Sequence, residues 1–180
     1  MKGSLTMENK GLDLLLTRRS VRSYKPDPVP EEALDSILKA AKYAPSAMGL
    51  QKRFFTVVKD RVILQKAVAA AKENGASFIP GHMPFYNAPA VIVVSAPEDA
   101  KYNREDAACA IMNIMLAAHA CGLGSCYICS VLPGLQDKRI VSELGIPQGY
   151  LPYGCVCLGY AEGKVPEAKP RREGGIFFAG

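Results

Sequence analysis

The sequence predicts an α+β fold. Helix-period and strand-period segments intermix without settling into a regular strand–helix–strand rhythm, which argues against a doubly wound parallel sheet. Gly122-x-Gly124 resembles half a dinucleotide fingerprint, but it follows a helical stretch instead of opening one and lacks the third glycine, so a Rossmann reading is rejected. The 180 residues are 49% hydrophobic and 22% charged, which suits one compact domain over 1–180 and leaves little chain for a second.

Leu12 to Thr17 reads as the end of a first helix, followed by basic residues and a break at Pro26, Pro28 and Pro30. Pro30 suits the first turn of a second helix, with Glu31 and Glu32 at its positive dipole end. Leu34, Ile37, Leu38 and Ala41 recur there at helical spacing until Pro45 stops it. Phe54 to Val58, aromatic and β-branched, reads as a strand. Asp60 caps a third helix running through Lys72 and closed by Asn74-Gly75. Phe78 to Pro89, with three prolines, reads as a loop or lid. Ala90 to Ser95 is the continuous apolar run of a strand buried on both faces.

Asn103 is expected to cap the longest helix, with Glu105 and Asp106 in its first turn. Ala108, Ile111, Met112, Met115, Leu116 and His119 make one apolar stripe, and nearly every other position from Ala107 on is also apolar, predicting a helix buried all round, with His119 a core histidine and Gly122 as its end. Ser125 to Val131 reads as a strand, Lys138 to Leu144 as a short helix closed by Gly145, and Tyr153 to Leu158 as the last strand. From Gly163 onward periodicity is lost, which predicts an extended C-terminal arm.

The net charge of +5 is concentrated in two places: Arg18, Arg19, Arg22 and Lys25 with no acid between them, and Lys169, Arg171 and Arg172. With no long basic run and no nucleic-acid motif, these are local anion sites or solvated surface charges, and no nucleic-acid partner is expected. The longest apolar stretch, Ala107 to Leu123, is short for a membrane span and holds Asn113 and His119, so no membrane association is expected either. The start has no secretory pattern, and a cytoplasmic location is expected. Cys126, Cys129, Cys155 and Cys157 sit in segments that read as apolar strand or strand edge, where reduced cysteine is a small hydrophobe, so no metal is expected.

Side-chain catalysis finds little support: there are two histidines, and no nucleophile elbow, zinc-protease helix, phosphate-binding loop or EF-hand. That leaves a bound cofactor carrying the reaction, or a simple binding protein. Three segments favour a cofactor. Arg18-Arg19-Ser20-x-Arg22 supplies guanidinium forks and a hydroxyl suited to a phosphate monoester. Ala44-Pro-Ser-Ala-Met-Gly-Leu-Gln51 is a loop of small residues that lets backbone approach a ring. Lys169-Pro-Arg171-Arg172 is a second cationic anchor.

With Gly122-Leu-Gly-Ser-Cys126 after the long helix, these segments resemble, in order and over nearly the whole chain, those of the nitroreductase family of FMN enzymes. The resemblance implies a central, mostly antiparallel sheet flanked by helices, and a homodimer with FMN at the subunit interface. It implies that Arg18, Arg19 and Ser20 contact the FMN phosphate and ribityl chain, and that Arg22 reaches the pyrimidine edge, where a cation stabilises charge on the reduced ring. Pro45, Ser46, Ala47, Gly49 and Gln51 would line the flavin from the other subunit. Tyr127, Ile128 and Cys129 would run along the ring near N5, and Lys169 and Arg171 would return to the phosphate. Gly49 stands where the family usually has Asn, and Lys52-Arg53 where it has Pro-Trp.

The implied activity is ping-pong electron transfer from NADH or NADPH to a small electron-poor acceptor, a nitroaromatic or quinone. Its alternatives are a non-catalytic flavin carrier or sensor, and a reductive dehalogenase-like relative. Phe78, Phe85 and Tyr86 either cover the ring or pack into the core.

Overall fold

In the computed structural model the described residues are 9–180. The first helix, α1 (Lys10–Thr17), is capped by Asn9, whose side chain accepts from the N–H groups of Gly11 and Leu12. Then follow α2 (Glu31–Lys42), β1 (Phe54–Val58), α3 (Arg61–Glu73), β2 (Ala90–Pro97), α4 (Asn103–Ala120), β3 (Gly124–Ile128), α5 (Leu132–Leu135), α6 (Lys138–Glu143) and β4 (Tyr150–Gly159). The cap read from sequence at Asp60 is in place, its carboxylate accepting from the Val62 N–H, whereas Pro30, expected in the first turn of α2, stands at the cap position one residue before it and makes no side-chain capping bond.

The four strands form one sheet in the order β1-β2-β4-β3, antiparallel at every pairing. Strand alternation sends Val91, Val93, Cys126, Ile128, Cys155 and Cys157 to one face, where residues of α3, α5, α6 and the 78–88 loop cover them. Ala90, Ile92, Val94, Val156 and Leu158 face the other way, against α2 and α4. Each face thus buries its own apolar layer, and a fully buried Ile92, Ile111 or Ile114 contributes about 1.5–3 kcal/mol. Both central strands, β2 and β4, are covered on two sides; β1 and β3 are edges.

Several local expectations are corrected. Asn103 is the first residue of α4 and not its cap: the cap position is Tyr102. The Asn103 amide is turned back, donating to the Tyr153 hydroxyl at 2.8 Å and to the carbonyls of Pro97 and Glu98 at 3.4 and 3.3 Å. It fastens the connection from β2, which leaves no oxygen-first geometry for capping.

The helix α4 is not buried all round. Ala107, Ala110, Ile111, Ile114, Met115 and Ala118 are inside, but Ala108, Cys109 and Met112 are exposed, and Leu116 is half-buried. Residues at this spacing share one side of a helix, so α4 presents an apolar stripe to its surroundings. His119 is half-buried rather than in the core.

The strand expected over Ser125–Val131 stops at Ile128, because the chain turns there into the short helix α5, with proline in its first turn. Cys129 is therefore exposed beyond the sheet, whereas Cys126, Cys155 and Cys157 lie in the core as small hydrophobes. Phe85 is a core residue, and Phe78 and Tyr86 pack against the same cluster. The arm after Gly163 has no regular element and is exposed throughout.

Candidate functional site

The basic segment after α1 is fixed to the free edge of β3. The Val21 N–H donates to the Ser125 carbonyl at 2.9 Å, and Ser20 bridges Ser125 in parallel sense. Further on, the Lys25 N–H donates to Tyr160 and the Glu162 N–H to Ser23, so the segment also lies beside the exit of β4. Gly124 permits this approach: a Cβ there would sit 2.7–2.9 Å from the side chain of Val21. Tyr24 seals the crossing from below, its buried hydroxyl donating to the Val21 carbonyl at 2.7 Å, and burial pushes that phenol upward from its ordinary range.

Above this junction opens a cavity of about 390 Å³, lined among others by Thr17, Arg18, Arg19, His119, Gly124 and Ser125. Arg19 is occupied elsewhere, donating through Nη1 to the carbonyls of Leu16 and Arg18 at the end of α1. Arg18 is different. Its Nη1 is buried and has no partner among the described residues, and so is the Ser125 hydroxyl in the same cavity. An unpaired guanidinium N–H away from water is costly unless an acceptor reaches it, so the lining of this cavity suits an anion. His119 Nε2 and the Thr17 hydroxyl meet at 2.8 Å on its wall. No local pattern signals that pair, since the partners are far apart along the chain.

Arg22 is exposed beside Cys126. Burial pushes the Cys126 thiol up, with Arg22, Arg18 and a hydrogen bond from Ser20 acting against it. Burial likewise raises Cys155 and Cys157, which stay protonated thiols. Along β3, Ile128 sends its side chain into the core and leaves only backbone at the surface. Tyr127 is half-exposed, its phenol pushed up to about 12 by burial and by the neighbouring Cys129 thiol. Ala161 and Val165 of the departing chain complete the cavity; Lys169 and Arg171 stand further along the arm, exposed, and do not line it.

Pro45, Ser46, Ala47, Gly49 and Gln51 form a second group, at the far end of α4. The Ala47 N–H donates to Asp106 at 2.9 Å, and the Gln51 N–H donates to the Ser46 hydroxyl at 2.9 Å. Asp106 is in the first turn of α4 and His119 in the last. Thirteen residues at 1.5 Å each separate them by about 20 Å. Within one chain the Arg18 cavity and the Pro45–Gln51 loop therefore cannot close on one small ligand.

Known proteins resemble this chain over most of its length. The sequence profile of the nitroreductase family matches residues 15–160. A protein of Archaeoglobus fulgidus that carries the provisional name NADH dehydrogenase/NAD(P)H nitroreductase is 39% identical over 155 residues, covering 83% of this chain and 84% of its own. The crystal structure of a nitroreductase with bound FMN from Bacteroides fragilis superposes with a TM-score of 0.84 at 32% identity, covering 95% of this chain and 99% of that one. A second FMN-bound nitroreductase, from Desulfitobacterium hafniense, gives 0.85 at 27% identity over 96% of this chain and 100% of that one.

Proposed function

The chain belongs to the nitroreductase family, and on that premise we propose that it is an FMN-dependent oxidoreductase passing electrons from NADH or NADPH to a small electron-poor acceptor such as a nitroaromatic or a quinone. The observation that carries this reading is the buried Nη1 of Arg18, without a partner among the described residues, beside Ser125 in the cavity at the edge of β3. A phosphate monoester supplies the acceptor oxygens these groups lack, and FMN is the ligand bound in the two nitroreductase crystal structures just described.

FMN, when bound, would supply reversible two-electron chemistry between a nicotinamide donor and the acceptor. The chain's own residues bind and tune. Arg18 and Ser20 hold the phosphate end, with Arg19 fixing the end of α1 beneath them. Arg22, exposed at the β3 edge, stabilises negative charge on the pyrimidine side. Tyr127 and Cys129 and the backbone at Ile128 flank the ring, and Lys169 and Arg171 bring further positive charge from the arm. No side-chain nucleophile is required.

The proposed unit is a homodimer. Ala108, Cys109 and Met112 form an unpartnered apolar stripe on α4, and Leu12, Leu15 and Leu16 on α1 are 52–69% exposed. Two-fold pairing of α4 with its copy places the Asp106 end of one helix near the His119 end of the other. That brings Pro45, Ser46, Ala47, Gly49 and Gln51 of one protomer toward the Arg18 cavity of its partner and removes the separation of about 20 Å found within one chain.

The test is the visible spectrum of the purified protein before and after anaerobic NADH or NADPH. Flavin bands that bleach, then return with a nitroaromatic, support the oxidoreductase. Bands that do not bleach leave a flavin carrier. A colourless protein that takes up no added FMN removes the proposal.

A further inference from the structure

The Pro45–Gln51 loop holds an unusual backbone. Met48, Gly49 and Gln51 have φ values of 52°, 64° and 53°. For Met48 and Gln51 this is the left-handed region that side chains disfavour, a conformation that persists only where its surroundings over-determine it. Met48 is also 84% exposed, so packing of its side chain does not impose the shape. The constraint comes from underneath. Arg53 Nη2 donates to the Ala44 carbonyl at 2.8 Å and to Lys42 at 3.5 Å; Nη1 donates to the Pro45 carbonyl at 2.9 Å and to Asp106 at 3.5 Å. One guanidinium thereby ties the carbonyl end of α2, the root of the loop and the first turn of α4. The site is electrostatically apt, because a helix C-terminus attracts a cation. Asp106 completes the frame by accepting the Ala47 N–H.

Resting on the flavoenzyme reading above, we infer that Arg53 is the positioning residue that holds the Pro45–Gln51 loop in its flavin-facing conformation. It touches neither flavin nor substrate; it acts through the loop. The assignment depends on the planar fork and not on charge alone, since a lysine ammonium is a point donor that cannot span carbonyls on three elements.

The test compares Arg53→Lys and Arg53→Met with the native protein and with Lys52→Met, which removes a neighbouring cation but none of these bonds. Hydrogen exchange is read in the flavin-free protein at the amides of Ala47, Gly49, Leu50 and Gln51, all hydrogen-bonded in the loop. FMN affinity is read by quenching of its fluorescence. Both Arg53 variants are expected to exchange faster at these amides and to bind FMN about tenfold more weakly, the scale of one lost charge-assisted bond. Lys52→Met should match the native protein. Native exchange and native FMN affinity in Arg53→Lys would overturn the inference, because charge alone would then suffice. If Arg53→Met fails to fold, Arg53→Lys decides. If the native protein takes up no FMN, the flavoenzyme reading fails while the exchange comparison still decides the role of Arg53 in the loop.

Discussion

Val21 and Ser125 are joined by a single backbone hydrogen bond of 2.9 Å, and through it the arginine-bearing segment becomes a short extension of the sheet at β3. The closeness of the two chains depends on Gly124, which offers no Cβ to the Val21 side chain. Gly124→Ala should therefore push the segment off the strand. A loss of about 1–3 kcal/mol in unfolding free energy is expected from such overpacking, together with weaker FMN retention. Urea denaturation and flavin content after gel filtration check the two effects.

Arg18→Met removes from the cavity the guanidinium whose Nη1 has no partner among the described residues. FMN affinity should fall by about 1.5–3 kcal/mol, as for loss of a hydrogen bond to a charged group. Stability of the flavin-free protein should hold or rise, since a buried donor without an acceptor is also removed. Riboflavin, which has no phosphate, should bind the native protein and this variant equally. Fluorescence titrations with both flavins separate an anchor from a general packing effect.

Arg22→Ala leaves the phosphate cavity intact but removes the exposed cation at the β3 edge. The expected result is weaker FMN binding and a more negative flavin reduction potential, because charge on the reduced ring loses its stabilising partner. A native potential measured by dye equilibration would show that Arg22 has a different role.

Cysteine labelling tests both the core and the dimer. Cys126, Cys155 and Cys157 are buried, and Cys109, Cys121 and Cys129 exposed, in the isolated chain. A thiol reagent at neutral pH should reach Cys121 and Cys129 quickly, and the buried thiols only on unfolding. Cys109 lies on the open stripe of α4. In the proposed dimer it should label slowly, and more quickly as dilution separates the protomers; rapid labelling at high concentration would count against pairing through α4.

The same thiols give stability a pH dependence. Burial raises Cys155 and Cys157 above the ordinary 9.0. The folded state then retains protons that the unfolded chain gives up, so their contribution is complete below about pH 9 and declines above it, by up to about 1.4 kcal/mol per pH unit for each group. Buried Tyr24 adds to the fall above its ordinary 10.0. Urea midpoints at pH 7.5 and pH 10 should differ, and Cys157→Val should reduce the difference. Equal midpoints would mean that the thiols do not couple to folding in this way.

Most of the fold can be read from local pattern, since β2 is a continuous apolar run and α3 carries its cap and stop in sequence. The errors arise where tertiary partners decide. Asn103 looks like a cap until Tyr153, 50 residues away, claims its amide. The apolar composition of α4 cannot distinguish a side facing the sheet from one left open, because both are apolar. Val131 suits a strand, but Pro133 turns the chain into α5. At the candidate site, the Arg18–Arg22 motif is legible as phosphate-binding chemistry, but not which members share a cavity: Arg18 lines it with a free Nη1 among the described residues, Arg19 turns to the end of α1, and Ser20 and Arg22 do not line it. Arg53 was visible only as a departure from a familiar pattern, because its partners are carbonyl oxygens, which sequence does not display.

The basic segment also has a place in time. Its anchors are distant in sequence: Thr17 bonds to His119 across 102 residues, Tyr24 to Cys157 across 133, and Ser23 to Glu162 across 139. Such closures come late, after the central strands have met, because the entropy of long loops must be overcome first. During synthesis the arginines emerge before β3 and β4, and they remain without a cavity until β4 has left the ribosome and joined the sheet. Flavin uptake would then register the completion of a folded chain, and nascent or truncated chains would stay colourless however much helix they had formed.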